Sequence, residues 1–540
     1  MKSALGFTSF FRKPSVSILL ALLVALGVRV WLLLLHAVPF NGDEAIVALM
    51  ARHILQGARP IFFYGQAYMG SLDAWLTAGA FLLFGERVAA VRGVQIALYL
   101  LNLLSVGLLA RRFLGTPRRA VLATWLAALP TVLVLTYTTA SLGGYGETLL
   151  LGNLCLWLGY EVLFGRWQDS WKAWLALGLL AGLGFWTLAL IAVYLLPLIL
   201  LGLKRFSTRR ARLYALAGVA FLFASSPWWL YNLAQPGAAL AALTESSLAP
   251  STPVDHLLQL GLLGLPALLG LRFPWSPVLA PLPVLFLSLL LYLGALGYLI
   301  GAFRKGKLPL AAGAGWLLAL FVVSFLALFV LTHFGIDGTG RYLLPLYLPL
   351  LLVLAALVDA AWQRAPVFGL ALLVLVLGLN LFETGRAALS PDGLTTQFDP
   401  ISRFDNAYDA ELIAFLRAQG ELTGYSNYWV SYRLAFLSGE EILFAPRLPY
   451  KADLSYTPRD NRYPYYDQVA AHSKRVAYIT SKHPLLDAQL RQGLERLGVG
   501  FSEKQLGDFH IFYALTRRVS PEELGLGADS RASRSVESGG

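Results

Sequence analysis

Stretches of roughly 20 apolar residues recur along this chain, separated by short clusters of arginine and lysine. That length carries an α-helix across the ~30 Å hydrocarbon core of a bilayer, and within lipid only helices or closed barrels satisfy their own backbone. With 57% hydrophobic and 14% charged residues over 540 positions, the chain is too apolar for a soluble globular protein. A net charge of +12 would suit a nucleic-acid partner. The basic residues, however, sit mainly between apolar runs, where positive charge sets topology and meets anionic lipid, so nucleic acid is rejected. The single cysteine, Cys155, permits no intramolecular disulfide and no cysteine-based metal site. Arg12 and Lys13 precede the first apolar run as in a signal peptide, but that run is long and lacks a small-residue cleavage site before Asn41. It reads as an uncleaved first span.

The positive-inside rule tests the span count. Span one (about 16–37) leaves the basic amino terminus in the cytoplasm and delivers Asp43 and Glu44 outside. For the cluster Arg111, Arg112, Arg118 and Arg119 to be inside, only 88–109 can cross, leaving 68–85 as an interfacial or re-entrant helix. Spans three (120–137) and four (148–165) follow, then two short helices within 174–203 meeting near Gly184. Span seven (212–231) ends in the aromatic pair Trp228 and Trp229, and a long outer loop (232–277) precedes span eight. Spans nine, ten and eleven bring the count to about 11 transmembrane helices and place the carboxy-terminal part outside. The expected molecule is an α-helical polytopic membrane protein in the cytoplasmic (inner) membrane, with residues 1–382 as the transmembrane domain.

Beyond Glu383 the composition is that of a soluble domain. Helical periodicity at 405–418 and 485–497, and strand-forming runs at 441–444, 475–479 and 509–515, predict a small α/β extracytoplasmic domain over 383–518. Residues 519–540 lack apolar content and read as a disordered tail.

The unusual ionisable residues fall on one side of this topology. Asp43 and Glu44 open an amphipathic helix at the mouth of span one, where acids of a membrane protein are functional candidates; a capped interfacial helix is the plainer reading. His53, Asp73, Glu147, His333, Asp337 and Arg341 join them. Arg341 follows the glycine-rich turn Gly335, Gly338, Gly340, with Tyr342 next, and a guanidinium there suits a headgroup phosphate, a snorkelling arginine being the alternative. An anion clamp and carboxylates on one face fit transfer of a sugar from a lipid-linked phosphate. The phosphate leaves once its charge is neutralised, and a carboxylate takes the acceptor's proton.

The sequence resembles GT-C superfamily glycosyltransferases of the protein O-mannosyltransferase and lipid A aminoarabinose transferase type. The residues carrying the likeness are Gly42-Asp43-Glu44-Ala45, Met50-Ala51-Arg52-His53-Ile54-Leu55, the segment from Phe62 to Asp73 including Tyr64 and Gln66, the junction from Phe84 to Arg92, and Arg341-Tyr342-Leu343-Leu344-Pro345. The likeness extends over most of 16–382 and is strongest before residue 112. It implies a polyprenyl-phosphate sugar donor, juxtamembrane helices in the first outer loop, and the first-loop acid as catalytic base, which falls on Asp43 with Glu44 beside it. Arg341 and Tyr342 then hold the donor phosphate, while Glu147, Asp73, His53, Tyr64, Gln66, Trp228 and Trp229 line the cavity or meet a lipid, glycan or protein acceptor. No cofactor follows with certainty; a divalent metal is used in the oligosaccharyltransferase branch and Asp43, Glu44 and His53 could supply ligands, but His53, nine residues from Glu44 on a different helical turn, reads as packing on or bonding a neighbour, so no metal ligand is assigned.

Two other readings compete. A transporter or flippase of a lipid-linked substrate would carry paired repeats and midplane charges, whereas these spans carry few midplane charges, Arg29 and Asp359 excepted, and the acids cluster at an interface. A sugar sensor would use the aromatic stretch 425–433, for which an aromatic helix packed on a strand is the commoner explanation.

Overall fold

The computed structural model describes residues 13–239, 241 and 251–526, so Arg12 and residues 527–540 of the expected tail lie outside the described residues. Among the described residues six helices are long and apolar enough to cross a membrane: Pro14–Leu34, Val88–Phe113, Leu282–Arg304, Ala314–Leu331, Arg341–Arg364 and Pro366–Ala388. A bent pair, Thr208–Ala224 and Ser226–Ala234, makes a seventh if its two halves form one span with a 62° bend. The bend falls at Ser225, whose hydroxyl bonds the Phe221 carbonyl at 2.7 Å, just before Pro227, which has no N–H for the helical ladder. The same chemistry splits the expected span 120–137 into Pro117–Ala128 and Val132–Tyr137, with Pro130 in the gap. The long stretch 174–203 forms two helices, Trp171–Thr187 and Ala192–Lys204, joined by a single 3-10 turn.

The first loop is more elaborate than one interfacial helix. Strands β1 (Phe62–Phe63) and β2 (Gln66–Gly70) form an antiparallel hairpin. It leads into the helix Leu72–Phe84, whose 13 residues rise only about 20 Å, too short to cross. The hairpin is pressed against the break between the two helices of 171–204, with Met69 bridged to Leu188. A Cβ on Gly70 would lie 2.3 Å from the Trp186 carbonyl oxygen. Gly70→Ala is therefore expected to destabilise the fold by about 1–3 kcal/mol, as overpacking does, read as a lower unfolding temperature in detergent; an unchanged midpoint would contradict this contact.

The helix Gly42–Leu55 corrects the expectation of a half-wetted interfacial helix. Asn41 caps it, accepting the Glu44 N–H at 3.1 Å, but every residue from Ala45 to Ile54 is buried. The small side chains Ala45, Ala48 and Ala51 let neighbours approach from several sides. Those neighbours are the helices Leu72–Phe84 and Val88–Phe113 and, from the far end of the chain, the helix Tyr428–Leu437.

That last helix belongs to a layer built on a five-stranded sheet. The strands are β3 (Thr423–Ser426), β4 (Leu443–Pro446), β5 (Ala477–Ser481), β6 (Ser502–Leu506) and β7 (Phe509–Tyr513), in the order β4-β3-β5-β7-β6. β4, β3 and β5 are parallel, and β7 and β6 pair antiparallel at the other edge. The boundary placed at 519 shifts: Val519, Leu524 and Leu526 are buried in this layer's own core with Leu490 and Phe512. Three widely spaced apolar residues among polar ones carry little sequence signal, yet they close one end of the sheet.

Candidate active site

Asp43 and Arg341 line one cavity of about 860 Å³. Its walls come from the hairpin (Phe63, Gln66, Tyr68), the loop after Tyr137, the break at 188–193, the end of the helix Ala314–Leu331 with His333, and the carboxy-terminal layer. Tyr342 lines it beside Arg341, whose guanidinium lies 5.0 Å from the Tyr342 ring. Asp337 pairs with Arg341 Nε at 2.6 Å and accepts the Thr339 N–H at 2.8 Å, so the glycine-rich turn orients the arginine.

Successive residues of a helix point about 100° apart, and that phase separates the two adjacent acids. Asp43 faces the cavity and accepts a hydrogen bond from the Tyr428 hydroxyl. Glu44 points the other way, fully buried, into a fork with Arg92: Oε1 to Nε at 2.5 Å and Oε2 to Nη2 at 2.6 Å. Burial pushes the Glu44 carboxyl up, while Arg92 and the N–H of Ser141 pull it back. Glu44 is thus a structural anion outside the cavity, a correction to its placement as a second catalytic acid.

Other expected cavity residues are also displaced. Asp73 is buried, accepting from Ser141 Oγ at 2.6 Å, Gln95 Nε2 at 3.0 Å and the Gly143 N–H at 3.3 Å. Glu147 is buried beside it, 3.5 Å from the same Gln95 nitrogen. Together they brace the loop behind the cavity wall. His53 bonds the Tyr64 hydroxyl at 2.9 Å and Glu440 at 3.0 Å, and Tyr64 stacks on Tyr463 with centroids 4.8 Å apart. These two fasten the Gly42–Leu55 helix to the carboxy-terminal layer. Trp228 and Trp229 pack on Phe185 at 5.2 and 5.9 Å, away from the cavity. Gln66 does line it; with its amide oxygen turned to Arg462, it accepts from Nη1 at 2.5 Å and Nη2 at 2.8 Å.

Residues 70–231 match the family described as Dolichyl-phosphate-mannose-protein mannosyltransferase. A search of curated proteins finds no match. Among solved structures, apo ArnT from Cupriavidus metallidurans superposes with a TM-score of 0.60 at 15% identity, covering 92% of this chain and 97% of that one. The same protein bound to undecaprenyl phosphate gives 0.56 at 14% identity over the same shares. The fold is that of ArnT.

In this ArnT-like fold the cavity draws on residues that the sequence reading did not select. Tyr428, Tyr450, Asp460 and Arg462 reach it from the carboxy-terminal layer, 385 to 419 positions from Asp43. Asp460 is pushed up to about 7, by burial first and by Asp43, against the pull of Arg462 and Lys451. Its only sequence signal is the charged run Arg459-Asp460-Asn461-Arg462, which reads as a solvated turn. Tyr428 sits within the aromatic stretch weighed for sugar stacking; it belongs to a helix packed on the sheet, yet its hydroxyl reaches the cavity acid. Among the described residues no group of three or more His, Cys, Asp or Glu is placed to hold a metal. Asp43, Glu44 and His53 do not converge, because Glu44 and His53 are turned toward Arg92 and Glu440.

Proposed function

We propose that this chain is a GT-C glycosyltransferase that moves a sugar from a polyprenyl-phosphate donor to an extracytoplasmic lipid, glycan or protein acceptor, with inversion. The observation that carries the reading is the meeting of Asp43 and Arg341 in one cavity whose wall also includes Leu190, Val193, Phe325 and Phe329. ArnT, whose fold this chain shares, is bound to undecaprenyl phosphate in one structure, and an apolar wall beside an arginine suits such a lipid.

In the proposed reaction, Asp43 takes the proton of the acceptor hydroxyl or amine as that atom attacks the anomeric carbon. The bond from that carbon to the phosphate oxygen breaks on the opposite face, and the phosphate leaves with the electron pair. Arg341 neutralises the departing charge and Tyr342 flanks it. Attack and departure on opposite faces invert the centre, and nearby negative charge stabilises its oxocarbenium-like state. Glu44, Asp73 and Glu147 hold the scaffold. Eleven crossings, with the shorter helices of 117–204 contributing four, would set the cavity and the carboxy-terminal layer on the outer side.

The test is transfer of labelled sugar from a panel of polyprenyl-phosphate sugars by purified protein. Arg341→Ala is expected to weaken donor binding by about 10- to 100-fold, the equivalent of a charge-assisted hydrogen bond. Arg341→Lys should recover part of that loss, since it keeps the charge without the fork. Unchanged donor affinity in Arg341→Ala would remove the phosphate assignment.

A further inference from the structure

The carboxy-terminal layer contributes the one hydrogen bond made by the Asp43 side chain among the described residues, and the contact is built from both sides. Tyr428 opens the helix Tyr428–Leu437, directly after the N-cap Asn427. The Asn427 side chain accepts from the N–H groups of Trp429 at 3.0 Å and Val430 at 3.2 Å, and donates to Ser481 Oγ at 3.0 Å on β5. The helix start is therefore tied to the sheet. On the opposite side, Gly42 lets the two helix starts touch: a Cβ there would lie 3.1 Å from Tyr428 Cε1 and 3.2 Å from its carbonyl oxygen. The Arg462 guanidinium covers the Tyr428 ring at 5.6 Å. Gly65, at φ +69°, admits the Arg462 backbone so closely that a Cβ would meet its Cα at 3.0 Å.

The far end of the helix Gly42–Leu55 is held by the same layer. Arg52 donates to the Phe436 carbonyl at 3.2 Å, and His53 meets Glu440. A helix gripped at both ends by one body cannot rotate, so the direction of Asp43 is set from outside the membrane-spanning part.

We propose that Tyr428 is a positioning residue for the Asp43 carboxylate, holding Oδ1 so that Oδ2 is presented to the acceptor. This rests on reading Asp43 as the base and gives the carboxy-terminal layer a part in the reaction beyond covering the cavity. Tyr428 does not touch the reacting atoms; it acts through Asp43. The bond fixes the direction in which the carboxylate meets the incoming hydroxyl or amine. The other groups facing Asp43 are Arg462, Asp460 and Tyr450 of the same layer, while from the membrane part Arg341 lines the same cavity and Arg92 is occupied by Glu44.

The experiment compares the full-length protein with Tyr428→Phe, and with Tyr432→Phe as control for loss of a buried hydroxyl from the same helix. The readouts are turnover of a labelled polyprenyl-phosphate sugar, split into kcat and donor KM, in the wild-type and Asp43→Asn backgrounds. Tyr428→Phe is expected to lower kcat about tenfold, the scale of one such hydrogen bond, with donor KM unchanged. In the Asp43→Asn background the same change should lower the residual turnover no further, because Tyr428 acts through Asp43. The control should leave both parameters in place. An unchanged kcat in Tyr428→Phe, an equal fall in the control, or a further loss of about tenfold in the Asp43→Asn background overturns the proposal. Full turnover in Asp43→Asn itself removes Asp43 as the base, a separate outcome.

Discussion

Asp43→Asn is expected to lower sugar transfer by at least about 100-fold, and by up to 10⁴-fold, the range contributed by a positioned general base. Asparagine keeps the shape of the side chain and retains an oxygen able to accept the Tyr428 hydroxyl. It cannot accept a proton from the incoming nucleophile. The change lies at the surface of the cavity, so the buried packing of the Gly42–Leu55 helix is not disturbed. Donor affinity should stay within a few-fold of wild type, because Arg341 and its partner Asp337 are untouched. Turnover with saturating labelled donor and a separate donor-binding measurement check both halves. Transfer within a few-fold of wild type in the folded variant would sink Asp43 as the base.

Glu44→Gln is expected to be the most destabilising of these changes, by about 3–5 kcal/mol, the cost of removing one partner from a buried ion pair. The glutamine leaves the Arg92 guanidinium inside the protein without a counter-charge. Arg92 Nη2 also donates to the carbonyls of Val38 at 3.2 Å and Pro39 at 3.3 Å, so it ties the first span's exit to the helix Val88–Phe113. The Ser141 N–H, 3.1 Å from Glu44 Oε1, depends on the same carboxylate. The Glu44→Gln, Arg92→Met double variant should recover much of the loss, because no uncompensated charge then remains. Thermal unfolding in one detergent across the two single variants and the double variant measures this. Equal unfolding temperatures for wild type and Glu44→Gln would show that the pair is not structural.

The apolar runs, the basic clusters between them and the capped acidic start at Asn41 are local signals, and each identified its segment without reference to the rest of the chain. The two-helix reading of 174–203 agrees with the break seen after Thr187, because a stretch too long for one span but bounded by basic clusters leaves few solutions. Asp43 and Arg341 were also legible, each marked by its position next to an apolar run, and both line the cavity. Asp73, Glu147 and His53 looked equally marked. Their burial and partners, Gln95, Ser141 and Glu440, come from elements that no spacing connects to them.

What the sequence by itself determined is the membrane class, the order of helices and two residues that line the cavity, Asp43 and Arg341, because hydropathy, charge and capping act over a few neighbouring positions. Only the tertiary structure decided which of two adjacent carboxylates faces the cavity, since helix phase has meaning only relative to what packs on each face. It alone brought Tyr428, Asp460 and Arg462 to Asp43. Contacts between residues hundreds of positions apart depend on how whole layers dock, and a single sequence carries no periodicity at that distance.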